Sequence, residues 1–134
     1  MIGLDTNVLV RYLVEDDDAQ SAVASTLIDG LTQSDPGFIS SVVLAEISWV
    51  LSTSYKLGRE EIASVIEELI LSRDLVFENI EACYLALYVY RSSTSVDFAD
   101  ALIAQTAKLA GARETVTFDR KAARESGMRL LSST

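Results

Sequence analysis

Short apolar runs alternate with amphipathic stretches along nearly the whole chain. Ile2-Gly3-Leu4 is a brief apolar run ending at Asp5, and apolar residues then recur at helical spacing to about residue 14. That spacing predicts a strand and then a helix, capped by Thr6 or Asn7, whose side chains accept hydrogen bonds from orphan amides. The acidic break Glu15-Asp16-Asp17-Asp18 precedes a second helix over about 19–31, and reads as solvated acids favoured by the helix dipole. Asp35-Pro36-Gly37 signals a turn into a second strand at Phe38-Ile39. Ser40 or Ser41 caps a helix over 42–55, Gly58 interrupts, and 59–72 places Ile62, Val65, Ile66, Leu69 and Ile70 on one helical face. Leu75-Val76-Phe77 is a third strand. Helices over 82–90 and 97–109 flank a loop at 92–95, with Tyr84, Leu87, Tyr88 and Arg91 near one face of the first and Gly111 closing the second. A fourth strand at 115–118, a short helix at 120–125, Gly127 and a last strand at 129–131 complete the pattern. Strands alternating with helices imply an α/β fold with a parallel sheet covered on both faces.

No repeat, low-complexity tract or linker breaks this order, so 134 residues read as a single domain, 1–134, large enough to bury a core. No run approaches the roughly 18 apolar residues of a membrane span, and no basic region precedes the first apolar run. The lone Cys83 lies on an apolar helical stretch and reads as a small core residue in a reducing cytoplasm. The chain contains no histidine, which excludes Ser-His-Asp and Cys-His catalysis and His-rich zinc sites. Acid–base chemistry must then use carboxylates, hydroxyls or metal-bound water.

A net charge of −9 argues against broad nonspecific binding to nucleic acid. The charge is uneven: residues 1–107 carry five basic and seventeen acidic side chains, residues 108–134 six basic and three acidic. The C-terminal cations Lys108, Arg113, Arg120, Lys121, Arg124 and Arg129 form either a solvated helix face or a phosphate-steering patch.

Five acids stand out because each lies in or beside an apolar run: Asp5, Glu46, Asp97, Asp100 and Asp119. Asp5 and Asp119 follow short strands at the carboxyl edge of the sheet, where open α/β sheets bind ligands. Glu46 has Val42, Val43, Trp49 and Val50 one turn away and no Lys or Arg at i±4, so it points along an apolar face. Asp97 and Asp100 share the first turn of one helix, beside Val96, Ile103 and Ala104. Asp97 and Asp119 each have a bland reading as helix caps, and Asp5 as a turn residue. Like charges converging in one pocket require compensation, and hard cations such as Mg²⁺ or Mn²⁺ take carboxylate oxygens. Four or five acids around one or two such ions suit in-line attack on a phosphodiester.

Asp5-Thr6-Asn7-Val8-Leu9, Glu46 on the helix after Ile39-Ser40, the segment Asp97-Phe98-Ala99-Asp100-Ala101-Leu102-Ile103-Ala104, and Thr117-Phe118-Asp119 resemble the ordered motifs of the PIN-domain family. More narrowly, the chain resembles VapC-type toxin ribonucleases, from Ile2 to about Leu131. The resemblance implies a three-layer α/β/α sandwich around a parallel sheet of about five strands. It also implies a Mg²⁺- or Mn²⁺-dependent cytoplasmic endoribonuclease using one or two ions. Asp5, Glu46, Asp100 and Asp119 would be the catalytic and metal-holding set, with Asp97 accessory. Thr6, Asn7 and Thr117 would hydrogen-bond around those acids. Homodimerisation and neutralisation by a small antitoxin are further implications, and Arg120 and Lys121 are candidate contacts to RNA phosphate.

Other classes fit less well. A haloacid-dehalogenase-type phosphatase needs an acid two residues after its first one, where this chain has Asn7. A receiver-type phosphoacceptor needs paired acids after the first strand. An RNA-processing or structure-specific nuclease of the same family, or a catalytically silent interaction module, would retain the same acids.

Overall fold

The computed structural model describes residues 1–132. It has an α/β/α architecture in which the helices dominate. β1 (Ile2–Gly3) leads to α1 (Thr6–Val14) and α2 (Asp18–Asp29); β2 (Gly37–Ile39) leads to α3 (Ser41–Thr53) and α4 (Arg59–Leu71). β3 (Leu75–Phe77) leads to α5 (Ile80–Ser92) and α6 (Phe98–Leu109), and β4 (Val116–Thr117), α7 (Arg120–Ser126) and β5 (Arg129–Leu130) close the chain.

All strand pairings are parallel, as expected from the alternating pattern. They form two groups rather than one continuous five-stranded sheet among the described residues. β1, β2 and β3 lie side by side with β2 in the centre, and β4 pairs with β5. The strands are two or three residues long, which limits how many ladder bonds each can offer. Gly37 sets the spacing of the three-stranded group. A Cβ there would come within 2.7 Å of Leu4 Cδ1, 2.9 Å of Leu31 Cδ1 and 3.1 Å of Leu75 Cδ2.

One core joins the layers. Leu9 of α1, Ile39 of β2, Leu44, Ile47 and Leu51 of α3, Ile66 of α4, and Val96 and Phe98 at the start of α6 are fully enclosed. Ile62, Ile66, Leu69 and Ile70 are buried on α4, with Val65 packed at the margin, as their spacing predicts. On α5 the buried face is Ala82, Cys83, Ala86, Leu87 and Tyr90. Tyr84 and Tyr88, which share a side of the helix with Leu87, are exposed, so that side lies at the edge of the core. α5 packs extensively on α6, and Ala82, Ala86 and Ala101 of these two helices are fully buried. Cys83 is buried, and burial pushes its thiol up to about 11, as expected of an inert core residue. No helix among the described residues is long and apolar enough to cross a membrane.

Candidate functional site

Asp5 is placed by the end of β1. The Leu4 amide donates to the Phe38 carbonyl, closing the ladder, and Asp5 then sits in extended backbone with Thr6 already helical. Its carboxylate accepts the Thr6 N–H at 2.8 Å. Asp5 is therefore the cap of α1, one residue earlier than the expected Thr6 or Asn7. Thr6 is thereby freed from capping, and its buried Oγ1 has no hydrogen-bond partner among the described residues. Asp5, Thr6 and Asn7 line a cavity of about 340 Å³ together with Glu46.

Glu46 arrives on α3, whose start is fixed by Ser40 Oγ accepting the Val43 amide at 3.1 Å. The helix buries Leu44, Ile47, Ser48 and Leu51. Glu46 faces the other way, beside Val42 and Trp49, which are 66% and 65% exposed. The apolar neighbours read from the sequence are real, but they form an open surface rather than core.

The remaining acids come from the other side of α3, which packs on both α1 and α6. Asp97 is the N-cap residue of α6, yet its carboxylate makes no capping hydrogen bond. It lines a small groove with Ser48, Trp49 and Phe98, separate from the Asp5–Glu46 cavity. Asp100, in the first turn of α6, is half-buried. Burial first, and then the charges of Asp97 and Asp119, hold its carboxyl above the usual carboxylate range. Asp119 caps α7, accepting the amides of Lys121 at 2.8 Å and Ala122 at 3.4 Å, while its own N–H donates to Thr117 Oγ1 at 3.0 Å. Glu125 of α7 fastens the loop before α6 by accepting Thr94 N–H at 2.7 Å and Thr94 Oγ1–H at 3.2 Å. These bonds tie the last turn of α7 to the loop that leads into α6.

The order and placement of these acids agree with a family match: the model of the PIN domain matches residues 2–126. The chain belongs to the PIN-domain family. Members are generally nucleases, so hydrolysis of nucleic-acid phosphodiesters is the broad activity to expect. No curated protein and no solved structure matches this PIN domain.

Two features of the PIN domain's acids differ from the sequence reading. Asp5, Glu46, Asp97 and Asp119 are exposed, and only Asp100 is partly withdrawn from water. Strand ends and outward helix faces keep these acids wet even though their sequence neighbours are apolar, so burial alone does not demand a counter-ion. In addition, no three acidic side chains among the described residues stand together as a metal cage. Asp5 and Glu46 share one cavity, Asp100 senses Asp97 and Asp119, and α3 links the two halves.

What remains is the lack of internal compensation. The ion pairs among the described residues join Met1 to Asp35, Arg11 to Asp16, Arg91 to Glu60 and Glu67, and Arg113 and Arg129 to Glu114. None involves the five acids. Arg120 and Lys121 are exposed on α7, and neither forms an ion pair there. Arg129, by contrast, is committed to Glu114 through two bonds of 2.9 and 2.8 Å, which removes it from any free basic patch.

Sequence reasoning passed over Arg11 and Tyr55, which line the Asp5–Glu46 cavity. One signal was available: Arg11 is the only Lys or Arg in the first 55 residues, and it lies one helical turn after Asn7. The contact between Arg11 and Tyr55, 44 positions apart, had no local signature.

Proposed function

We propose that this PIN domain is an endoribonuclease that uses Mg²⁺ or Mn²⁺ held by Asp5, Glu46, Asp100 and Asp119, with Asp97 tuning Asp100 through its charge. The observation that carries the reading is a set of five carboxylates, four at strand ends and helix starts and Glu46 within α3, with which no cation forms an ion pair among the described residues. The donors fit the ion in kind. They are all oxygen, the chain lacks histidine, and its one cysteine is buried. The set is open, with Asp5 and Glu46 in one cavity and Asp100 sensing Asp97 and Asp119.

The site's own acids repel a phosphodiester, and bound ions would cancel that repulsion while supplying an activated water and charge stabilisation at the phosphate. Glu46, exposed and without an ion pair among the described residues, would accept the proton of the attacking water at its carboxylate. Asp5 and Asp119 each spend one oxygen on a helix amide, which fixes the carboxylate direction and leaves the other oxygen for ligation. Thr117 holds the Asp119 backbone, and Asn7 forms part of the cavity wall. Water adds to phosphorus, the bond to the leaving sugar oxygen breaks, and that oxygen is protonated from solvent.

RNA rather than DNA as substrate, a cytoplasmic role as the toxin of a toxin–antitoxin pair, a small antitoxin partner and a homodimer extend this reading from the family resemblance. The test is incubation of a total RNA pool with Mg²⁺, Mn²⁺ or chelator. Cleavage with either ion, none in chelator and none by folded D100N supports the proposal. Equal activity of wild type and D100N would remove it.

A further inference from the structure

Arg11 is a cation in an acidic cavity that it does not neutralise. Its side chain lines the same space of about 340 Å³ as Asp5, Glu46 and Asn7, and it is the only Lys or Arg there. Its ion pair instead goes outward, from Nη1 to Asp16 Oδ1 at 2.7 Å. Nε donates to Gln20 Oε1 at 2.7 Å, and Nη1 also reaches the Tyr55 hydroxyl at 3.3 Å, while that hydroxyl donates to Asp16 Oδ2 at 2.6 Å. The chain reaches this arrangement through Glu15, in left-handed backbone at the end of α1, which turns Asp16 back toward Arg11. Three side chains, from Asp16, Gln20 and Tyr55, thus hold one guanidinium, and its Nη2 has no protein acceptor among the described residues.

A guanidinium fixed in this way loses little further entropy on binding an anion, and its planar donors match a phosphate. Arg11 and Asn7 also line the neighbouring groove between α1 and α2, of about 630 Å³. They therefore stand on the border between the acidic cavity and this groove, whose remaining walls are mostly the apolar Val8, Ala19, Val23, Ala24 and Leu27. We infer that Arg11, held by Asp16 and Tyr55, binds an RNA backbone phosphate beside the one that is cleaved. The inference rests on the nuclease reading. It assigns the substrate's anionic backbone to the α1 side of the site, in addition to the candidates Arg120 and Lys121 on α7.

A purely structural role for Arg11, tying α1 to Asp16 and Tyr55, is the competing explanation, and D16N separates the two. D16N breaks the ion pair and leaves the cation in the cavity; R11Q removes the cation. Cleavage of a single-stranded RNA pool is followed over a range of protein concentrations and salt, with Mg²⁺. The expected result for R11Q is a half-saturating concentration about ten-fold higher, as for one lost charge-assisted contact. Its log–log salt dependence should be shallower by about 0.7, one phosphate on a single strand. R11K should recover the salt slope, and D16N should bind as well as wild type or better. A wild type that cleaves while R11Q matches it in both readouts, or D16N losing as much as R11Q, overturns this assignment alone. A wild type that cleaves no RNA with either ion overturns the nuclease reading and the assignment together.

Discussion

Replacing Asp5 separates its part in folding from its part in chemistry. Its carboxylate accepts the first free amide of α1 at 2.8 Å, and alanine removes that acceptor. Loss of an N-cap costs about 1 kcal/mol, within a range of roughly 0.5 to 2. At about 2 cal/mol/K per residue, the unfolding entropy of 134 residues is roughly 0.28 kcal/mol/K. Asp5→Ala should therefore lower the melting temperature in chelator by about 4 °C. Asp5→Asn keeps an oxygen at the same position and caps comparably, so it should melt within about 1 °C of wild type. Both variants lose the negative charge, and both should lose metal-dependent RNA cleavage. The assays are calorimetry in chelator and cleavage with Mg²⁺. If Asp5→Ala melts with wild type, the capping role is wrong; if Asp5→Asn cleaves like wild type, the ligand role is wrong.

Three further outcomes follow from the same structure. In chelator, Asp100→Asn should be more stable than wild type near neutral pH and equal to it in acid. The raised Asp100 carboxyl is a cost only when ionised, so wild type loses stability as pH rises from the ordinary carboxylate value through the raised one, and well below the ordinary value both states are protonated; denaturant midpoints at about pH 3 and pH 8 check this, and a variant less stable at both is the opposing result. Gly37→Ala should cost about 1 to 2 kcal/mol, because the new methyl forces Leu4, Leu31 and Leu75 to move in a packed layer; an unchanged denaturant midpoint would show that they yield freely. Cys83 should react with a thiol reagent only on unfolding, since burial both shields the thiol and keeps it protonated; rapid labelling of the native chain would contradict the core packing.

The element order was legible because its signals are local. Ser40 before α3, the Gly58 break before α4 and the apolar spacing of α4 lie within a few residues of what they determine. The errors are local too. Asp5 rather than Thr6 caps α1, and α5 begins at Ile80 because Asn79 accepts the Ala82 amide at 3.1 Å, a cap hidden in a polar stretch. The acids of the site could be identified but their exposure could not. Whether Val42 and Trp49 around Glu46 are core or surface depends on which face of α3 meets the sheet, which only tertiary packing decides. The same holds for the division of the acids between α1–α3 and α6–α7. It holds again for the contacts linking Arg11, Asp16 and Tyr55, which join residues up to 44 positions apart.

The central claim is that these uncompensated acids form a divalent-cation site, and calorimetric titration of the chain with Mn²⁺ tests it most directly. Wild type should show saturable binding of one or two ions, and Asp100→Asn, with its fold verified by circular dichroism, should lose it. A wild type that binds no ion, or an Asp100→Asn variant that binds as wild type does, would contradict the account.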